Sequence, residues 1–326
     1  MAYQTVTMLP MTAPEPDRRT IPHAADIVRW HAADGWDLRA LRWPASTPHP
    51  RGTVLFMGGR GDFFEKYLET LRHFHALGWH VESLDWRGQG GSGRLAARRD
   101  VGHVDRFGCW TRDLADYAAD LKRRHPGPLV VIGHSMGGHL VLRALAEREV
   151  AADAAILVAP MLGFADSMPR WLGRIVARVG MRVTGGKQPM WKVSEKPFSP
   201  LSKRMGLLTH SAERYADEQY WWDANPELPL GPASWGWIAA AYDSFAWLAK
   251  PGRLEQVEEP VLIVSATADA LVSPAATRAA AARLPHARLV EYGDEAAHEL
   301  LREADPVRDR VLGEIDAMLA EVAAGQ

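Results

Sequence analysis

Pro128-Leu-Val-Val-Ile132-Gly133-His134-Ser135-Met136-Gly137-Gly138-His-Leu-Val-Leu-Arg-Ala-Leu-Ala-Glu147 reads as strand, turn and helix in succession. Pro128 to Ile132 is an apolar run short enough for a buried strand. From Gly138 onward, Leu140, Val141, Ala144 and Leu145 share one helical face. Between them stands Gly133-His-Ser-Met-Gly137, a G-x-S-x-G pattern. In that setting a sharp turn strains the serine backbone and exposes its Oγ at the carboxyl end of a sheet. Small residues two before and two after the serine let strand and helix approach, and Gly133, Gly137 and Gly138 fit that need. The flanking periodicity gives the motif its weight, because a bare G-x-S-x-G also occurs in turns that only join a strand to a helix.

Outward from this segment the pattern alternates. Asp26 to His31 and Trp36 to Trp43 flank Asp34-Gly35 and predict a hairpin. Thr53 to Met57 predicts a buried strand ending in Gly58-Gly59-Arg60-Gly61. A helix is expected over 64–77, a strand over 81–84 and a helix over 107–125. Ala154 to Val158 is the next strand. After a long interruption, strand Pro260 to Ser265, helix 275–284, strand 287–292 and helix 306–322 complete the chain. Alternating strands and helices predict an α/β fold with a mostly parallel sheet covered on both faces.

The interruption, residues 161–250, has no strand-like run and holds seven of the thirteen tryptophans. It predicts a helical cap inserted after the sixth strand, over the carboxyl ends where open α/β sheets bind ligands. The expected organisation is a proline-rich arm (1–25), a core (26–160 and 251–326) and this cap (161–250).

Hydrophobic residues make up 47% of the 326, enough for a sizeable core. A formal net charge of −2 gives no electrostatic footprint for nucleic acid. The single cysteine, Cys109, excludes an internal disulfide and a cysteine-based metal site. It reads as a bland, half-buried thiol. The first residues lack the charged and apolar regions of a signal peptide. The longest apolar run, Ala154 to Ala165, contains Pro160 and is too short to span a bilayer. We therefore expect a cytoplasmic chain.

A serine needs a base, and the base an orienting acid. In strand–turn–helix serine sites the chain order is serine, acid, histidine. Of the histidines after the motif, His139 lies on the following helix, pointing away if that helix is regular. His210 lies inside the insertion, and His286 lies at the wrong end of a strand. His298, in the loop after the last strand, suits a general base. Asp269 follows a strand at its carboxyl end and is the preferred acid. Asp294 shares the loop of His298, and Asp153 precedes a strand at the opposite edge. An oxyanion hole needs two preorganised backbone N–H groups. Met136 supplies one. Arg60, in the loop after Thr53 to Met57, is the candidate for the other, unless that loop is only a tight turn.

These motifs resemble the α/β-hydrolase superfamily. Within it they resemble the bacterial lysophospholipase L2 and monoacylglycerol lipase group. The resemblance is carried by Leu84-Asp-Trp-Arg-Gly-Gln-Gly-Gly-Ser-Gly-Arg94, His103-Val-Asp-Arg-Phe107, Gly133 to Gly138, Ser265-Ala-Thr-Ala-Asp269 and Ala297-His-Glu-Leu-Leu-Arg-Glu303. It covers the core and is vague across 161–250. It implies Ser135, Asp269 and His298 as a catalytic triad. The group's oxyanion loop often reads His-Gly-x-Gly. Here Gly58 replaces the histidine and Arg60 fills the x position, closer to the Pro-Gly-Arg version of lysophospholipase L2-like sequences. The implied chemistry is two-step acyl transfer on a small-molecule lipid ester, with no metal or organic cofactor.

Residues 168–183 set Arg170, Arg174, Arg178 and Arg182 beside Trp171, Leu172, Ile175, Val176 and Val179. On a helix this is a basic stripe beside an apolar face. Such a helix either lies in a lipid interface, giving peripheral contact with the inner face of the membrane, or packs its apolar face on the core. Trp221, Trp222, Trp235 and Trp237 either line an acyl pocket or form the insertion's own small core. Three functions stay open. The first is an esterase acting on lysophospholipids or monoacylglycerols. The second is an S33-type aminopeptidase like proline iminopeptidase, which would use Glu213, Asp217 or Glu218 to hold a free amine. The third is a ligand-binding homologue without turnover. Dehalogenases and epoxide hydrolases of this fold carry aspartate where Ser135 stands.

Overall fold

The computed structural model describes residues 17–165, 169–190 and 201–325. Residues 1–16 of the arm, Met168 and Trp191 lie outside the described residues. The strands are β1 (Asp26–His31), β2 (Asp37–Trp43), β3 (Thr53–Met57), β4 (His80–Leu84), β5 (Leu129–His134), β6 (Ala154–Val158), β7 (Val261–Ala266) and β8 (Ala287–Tyr292). They form one eight-stranded sheet in the order β1-β2-β4-β3-β5-β6-β7-β8. β2 runs antiparallel to both β1 and β4, and every other pairing is parallel. The expected hairpin is present, with Ile27 opposite Leu41 and Gly35 turning at φ 81°.

Side chains alternate across a strand, so a strand buried on both faces feeds two cores. Leu55 and Met57 of β3 join Val131 of β5 and Ile263 of β7 on one face. Val54 and Phe56 join Val130, Ile132 and Val264 on the other. The first face is covered by α2 (Gly108–Arg124), α3 (Met136–Ala146) and α8 (Pro274–Ala281). The second is covered by α1 (Leu68–Ala76) and α9 (Asp305–Ala324).

The helix expected over 64–77 is divided. Phe64–Tyr67 is a 3-10 turn and α1 begins only at Leu68. All four residues of that turn are buried. The Phe64 N–H, a first-turn donor with no partner inside the helix, is satisfied by Asp85, 3.2 Å away.

Among the described residues, four helices lie between β6 and β7: α4 (Arg170–Thr184), α5 (Leu201–Leu208), α6 (Ala212–Ala224) and α7 (Trp235–Leu248). Ser211 and Ser234 cap α6 and α7 by accepting from the N–H groups of Arg214 and Trp237. The arm from residue 17 onward lies against α6. Arg18 and Arg19 both donate to Asp217, at 2.7 and 2.8 Å, and the Trp221 indole donates to the Arg18 carbonyl.

Candidate active site

Ser135 sits where β5 turns into α3, at φ 50° and ψ −114°. A non-glycine residue in that region stores strain. The glycines around it are required by contact. A Cβ on Gly133 would stand 2.6 Å from the Gly138 nitrogen, and one on Gly137 would overlap the Met57 carbonyl. Strand and helix therefore touch backbone to backbone, and the serine is held at the crossing.

Ser135, Asp269 and His298 come together. His298 Nε2 lies 2.9 Å from Ser135 Oγ, and His298 Nδ1 lies 2.6 Å from Asp269 Oδ2. Asp269 Oδ1 accepts from the N–H groups of Leu271 and Val272, which fixes its orientation. Burial opposes a charge on His298, but Asp269 outweighs it and raises the imidazole pKa above 6.5. Burial likewise opposes ionisation of Asp269. The facing His298 and the two backbone donors bring that carboxyl below its ordinary value. The His298 loop is pinned from the insertion, where His298 and Glu299 N–H groups donate to the carbonyls of Leu207 and Leu208 in α5.

The other sequence candidates lie elsewhere. His139 is fully buried and bonds Ser244 of α7 at 2.6 Å. His210 pairs with Glu303 at 3.0 Å. Asp153 receives the Leu129 N–H at the start of β5, and Asp294 is exposed. Burial pushes the Cys109 thiol up to about 11, with Asp113 adding to the shift, so it is a poor nucleophile.

Met136 is the first residue of α3, directly after the serine. The loop after β3 approaches from the other side. A Cβ on Gly59 would stand 3.1 Å from that of Ser135. The Gly59 N–H donates to Asp62 and the Gly61 N–H to Gln89, so both neighbours of Arg60 are held. The Arg60 guanidinium donates to the Gly231 carbonyl and lies over Trp237, 5.4 Å from its centroid.

Ser135 and His298 open on a cavity of about 460 Å³, within the range of small-molecule sites. Its lining includes the apolar side chains of Met161, Phe164, Val176, Trp237, Ile238 and Tyr242. It also includes a hydrogen-bonded charged cluster, with Asp62, Lys66, Arg204, Glu218 and Glu299. Trp222 and Trp237 are among the lining residues. Trp221 and Trp235 are not. Trp221 is buried under the arm, and Trp235 packs on Gly180 of α4.

A family model described as Hydrolase_4, serine aminopeptidase S33, matches residues 48–305. The chain belongs to this family of α/β-hydrolases. Among its relatives is lysophospholipase L2 of Escherichia coli, 30% identical over 65% of this chain and 62% of that protein. The chain thus matches about three-fifths of that relative's length. Monoglyceride lipase of Homo sapiens is 28% identical over 46% of this chain and 48% of its own. A solved soluble variant of monoglyceride lipase from Saccharomyces cerevisiae shares the fold. Its TM-score is 0.76 at 20% identity, over 95% of this chain and 99% of that one.

This Hydrolase_4 chain carries a polar network that its sequence pattern does not display. Lys66 donates to Asp62, Glu218 and Glu299, at 2.8, 3.2 and 2.6 Å. His134, inside the serine motif, meets the Tyr67 hydroxyl at 2.9 Å and Asp62 at 3.1 Å. Burial opposes ionisation of Asp62, but Lys66 and His134 hold it well below the usual carboxylate range. The one signal in the sequence is charge in an apolar setting: Asp62 and Glu65-Lys66 flank Phe63-Phe64.

Proposed function

We propose that this chain is a serine hydrolase that cleaves carboxyl esters of lipid-like substrates, lysophospholipids or monoacylglycerols, through an acyl-enzyme. The reading rests on the hydrogen-bonded path from Ser135 Oγ through His298 to Asp269, at 2.9 and 2.6 Å, on the wall of a cavity lined by apolar and charged side chains. His298 takes the Ser135 proton as Oγ attacks the ester carbonyl. Asp269 holds the Nδ1–H and balances the imidazolium. The N–H groups of Met136 and Arg60 receive the oxyanion. His298 then passes its proton to the leaving alcohol, and water repeats the sequence on the acyl-enzyme. The apolar lining takes the acyl chain, and the charged cluster faces the alcohol. Residues 161–250 serve as the cap over a core of 26–160 and 251–326.

The aminopeptidase reading needs an unpaired carboxylate near the serine. Glu213 is exposed and paired with Arg18, and Asp217 is taken by Arg18 and Arg19. Glu218 reaches the cavity but is neutralised by Lys66 and Arg204. The relatives named lysophospholipase and monoglyceride lipase favour the ester.

The test is release of fatty acid, identified by mass, from a panel of lysophospholipids and monoacylglycerols, beside prolyl amides. Ester cleavage that falls about 10⁶-fold in kcat in Ser135→Ala is expected, by analogy with serine proteases. Cleavage of prolyl amides alone would establish the aminopeptidase instead. Failure to label Ser135 with a fluorophosphonate would leave only ligand binding.

A further inference from the structure

A loop has no hydrogen-bond ladder of its own, so its backbone N–H groups must find acceptors elsewhere. Around His298 three successive N–H groups point out of the loop. Ala297 donates to the Glu303 carboxylate at 2.7 Å, His298 to the Leu207 carbonyl at 3.4 Å, and Glu299 to the Leu208 carbonyl at 2.7 Å. The two carbonyls belong to α5, and the Glu303 carboxylate grips the residues just beyond that helix.

Glu303 is fully buried, at 0% exposure, and its carboxylate receives four donors. Oε1 takes the Ala297 N–H and the His210 ring at 3.0 Å. Oε2 takes the N–H groups of His210 and Ala304, at 2.9 and 3.2 Å. Two donors on each oxygen fill the capacity of a carboxylate. The seam continues on both sides, where Thr209 Oγ1 and the Arg214 guanidinium donate to the carbonyls of Arg302 and Glu303, each at 2.6 Å. Residues 207–214 and 297–303 are joined along their length. Ser135 and Asp269 follow directly from strands of the sheet, whereas the imidazole between them is hung on helices outside it. The core adds the His134 ring, 3.3 Å from the His298 carbonyl.

We propose that Glu303 is a positioning residue for the base: by holding Ala297 and His210 together it sets the His298 imidazole between Ser135 and Asp269. This rests on the hydrolase reading and adds a residue that is not among those lining the cavity. Glutamine at this position keeps the shape of the side chain but replaces one oxygen by NH2. Either orientation then leaves at least one main-chain N–H facing that NH2. The loop is released, and a misplacement of about 1 Å in a catalytic group costs about 100-fold in rate.

The experiment compares wild type, Glu303→Gln and His210→Ala on a short, water-soluble p-nitrophenyl ester across pH. The downfield proton resonance of the His298 Nδ1–H, bonded to Asp269 at 2.6 Å, is recorded by NMR in parallel. Glu303→Gln should lower kcat by about 100-fold with KM nearly unchanged. Its imidazole, drawn away from Asp269, should titrate lower on the acid limb, and the resonance should move upfield or vanish. His210→Ala removes a ring that is 48% exposed, so the fold should be kept. It should act in the same direction by roughly fivefold. Wild-type kcat, midpoint and resonance in both variants would overturn the proposal. So would a loss of activity that only tracks a lower melting temperature while midpoint and resonance stay in place. If Glu303→Gln does not fold, His210→Ala decides by the same readouts. A wild type that cleaves no ester and spares a fluorophosphonate defeats the hydrolase reading, and the resonance in the variants then decides alone whether Glu303 sets the imidazole.

Discussion

At the scale of single residues, the proposed catalysis depends on one imidazole whose charge state is biased by its neighbours. Burial alone would keep His298 neutral, but Asp269 draws its pKa above 6.5. A general base works only when unprotonated. The acid limb of kcat/KM should therefore rise through a pKa above 6.5. Asp269→Asn removes the carboxylate that raises it. We expect this variant to lose about 10⁴-fold in kcat, the loss seen in the serine-protease template. Its remaining activity should titrate at lower pH than the wild type. A pH profile that keeps its midpoint in Asp269→Asn would show that the carboxylate does not act through His298. Ser135, Asp269 and His298 were legible in the sequence because each stands at the carboxyl end of a strand, in an order the turn motif restricts. Trp221 and Trp222 show the limit of such reading. They are adjacent on α6, yet Trp222 lines the cavity and Trp221 meets the arm. Composition names an aromatic cluster but not the direction of each ring.

At the scale of elements, one ammonium ties three segments. Lys66 belongs to the 3-10 turn before α1, Glu218 to α6, and Glu299 to the loop that carries His298. Removing one partner of a buried ion network leaves uncompensated charge and costs about 3–5 kcal/mol. Lys66→Met should lose stability on that order in urea at neutral pH. The sign with pH is definite. Burial would raise the Glu218 carboxyl, but Lys66 and Arg204 bring it from 4.5 down to about 2. A lowered carboxyl favours folding above its unfolded value, and that contribution is lost as pH falls from 4.5 through about 2. The deficit of Lys66→Met should thus be widest above 4.5 and narrow in acid. A deficit that does not change with pH would mean that packing, not charge, is what Lys66 contributes. This network was not legible, since its members are 152 and 233 residues apart from Lys66. The rotation of α4 was not legible either. Periodicity finds the two stripes of that helix, but Tyr242 and Trp235 on α7 decide which face is buried.

At the scale of the whole molecule, the sheet followed from the sequence because period-2 burial and short apolar runs mark strands that feed two cores. The insertion followed only as a helical interval. Which of its side chains reach the cavity depends on contacts with the core and the arm that no local pattern records. The clamp of Arg18 and Arg19 on Asp217 bears on how the protein is handled. Asp217 is nearly enclosed, with 5% of its side chain exposed, and α6 carries Trp222 and Glu218 into the cavity. A chain shortened to begin after Arg19 would leave that carboxylate without its two guanidinium partners. Its KM for long-chain esters should rise while short-ester turnover holds, and equal effects on both would separate the arm from substrate binding. Shortened forms should therefore retain Arg18 and Arg19, because the helix these guanidiniums clamp is also a wall of the binding chamber.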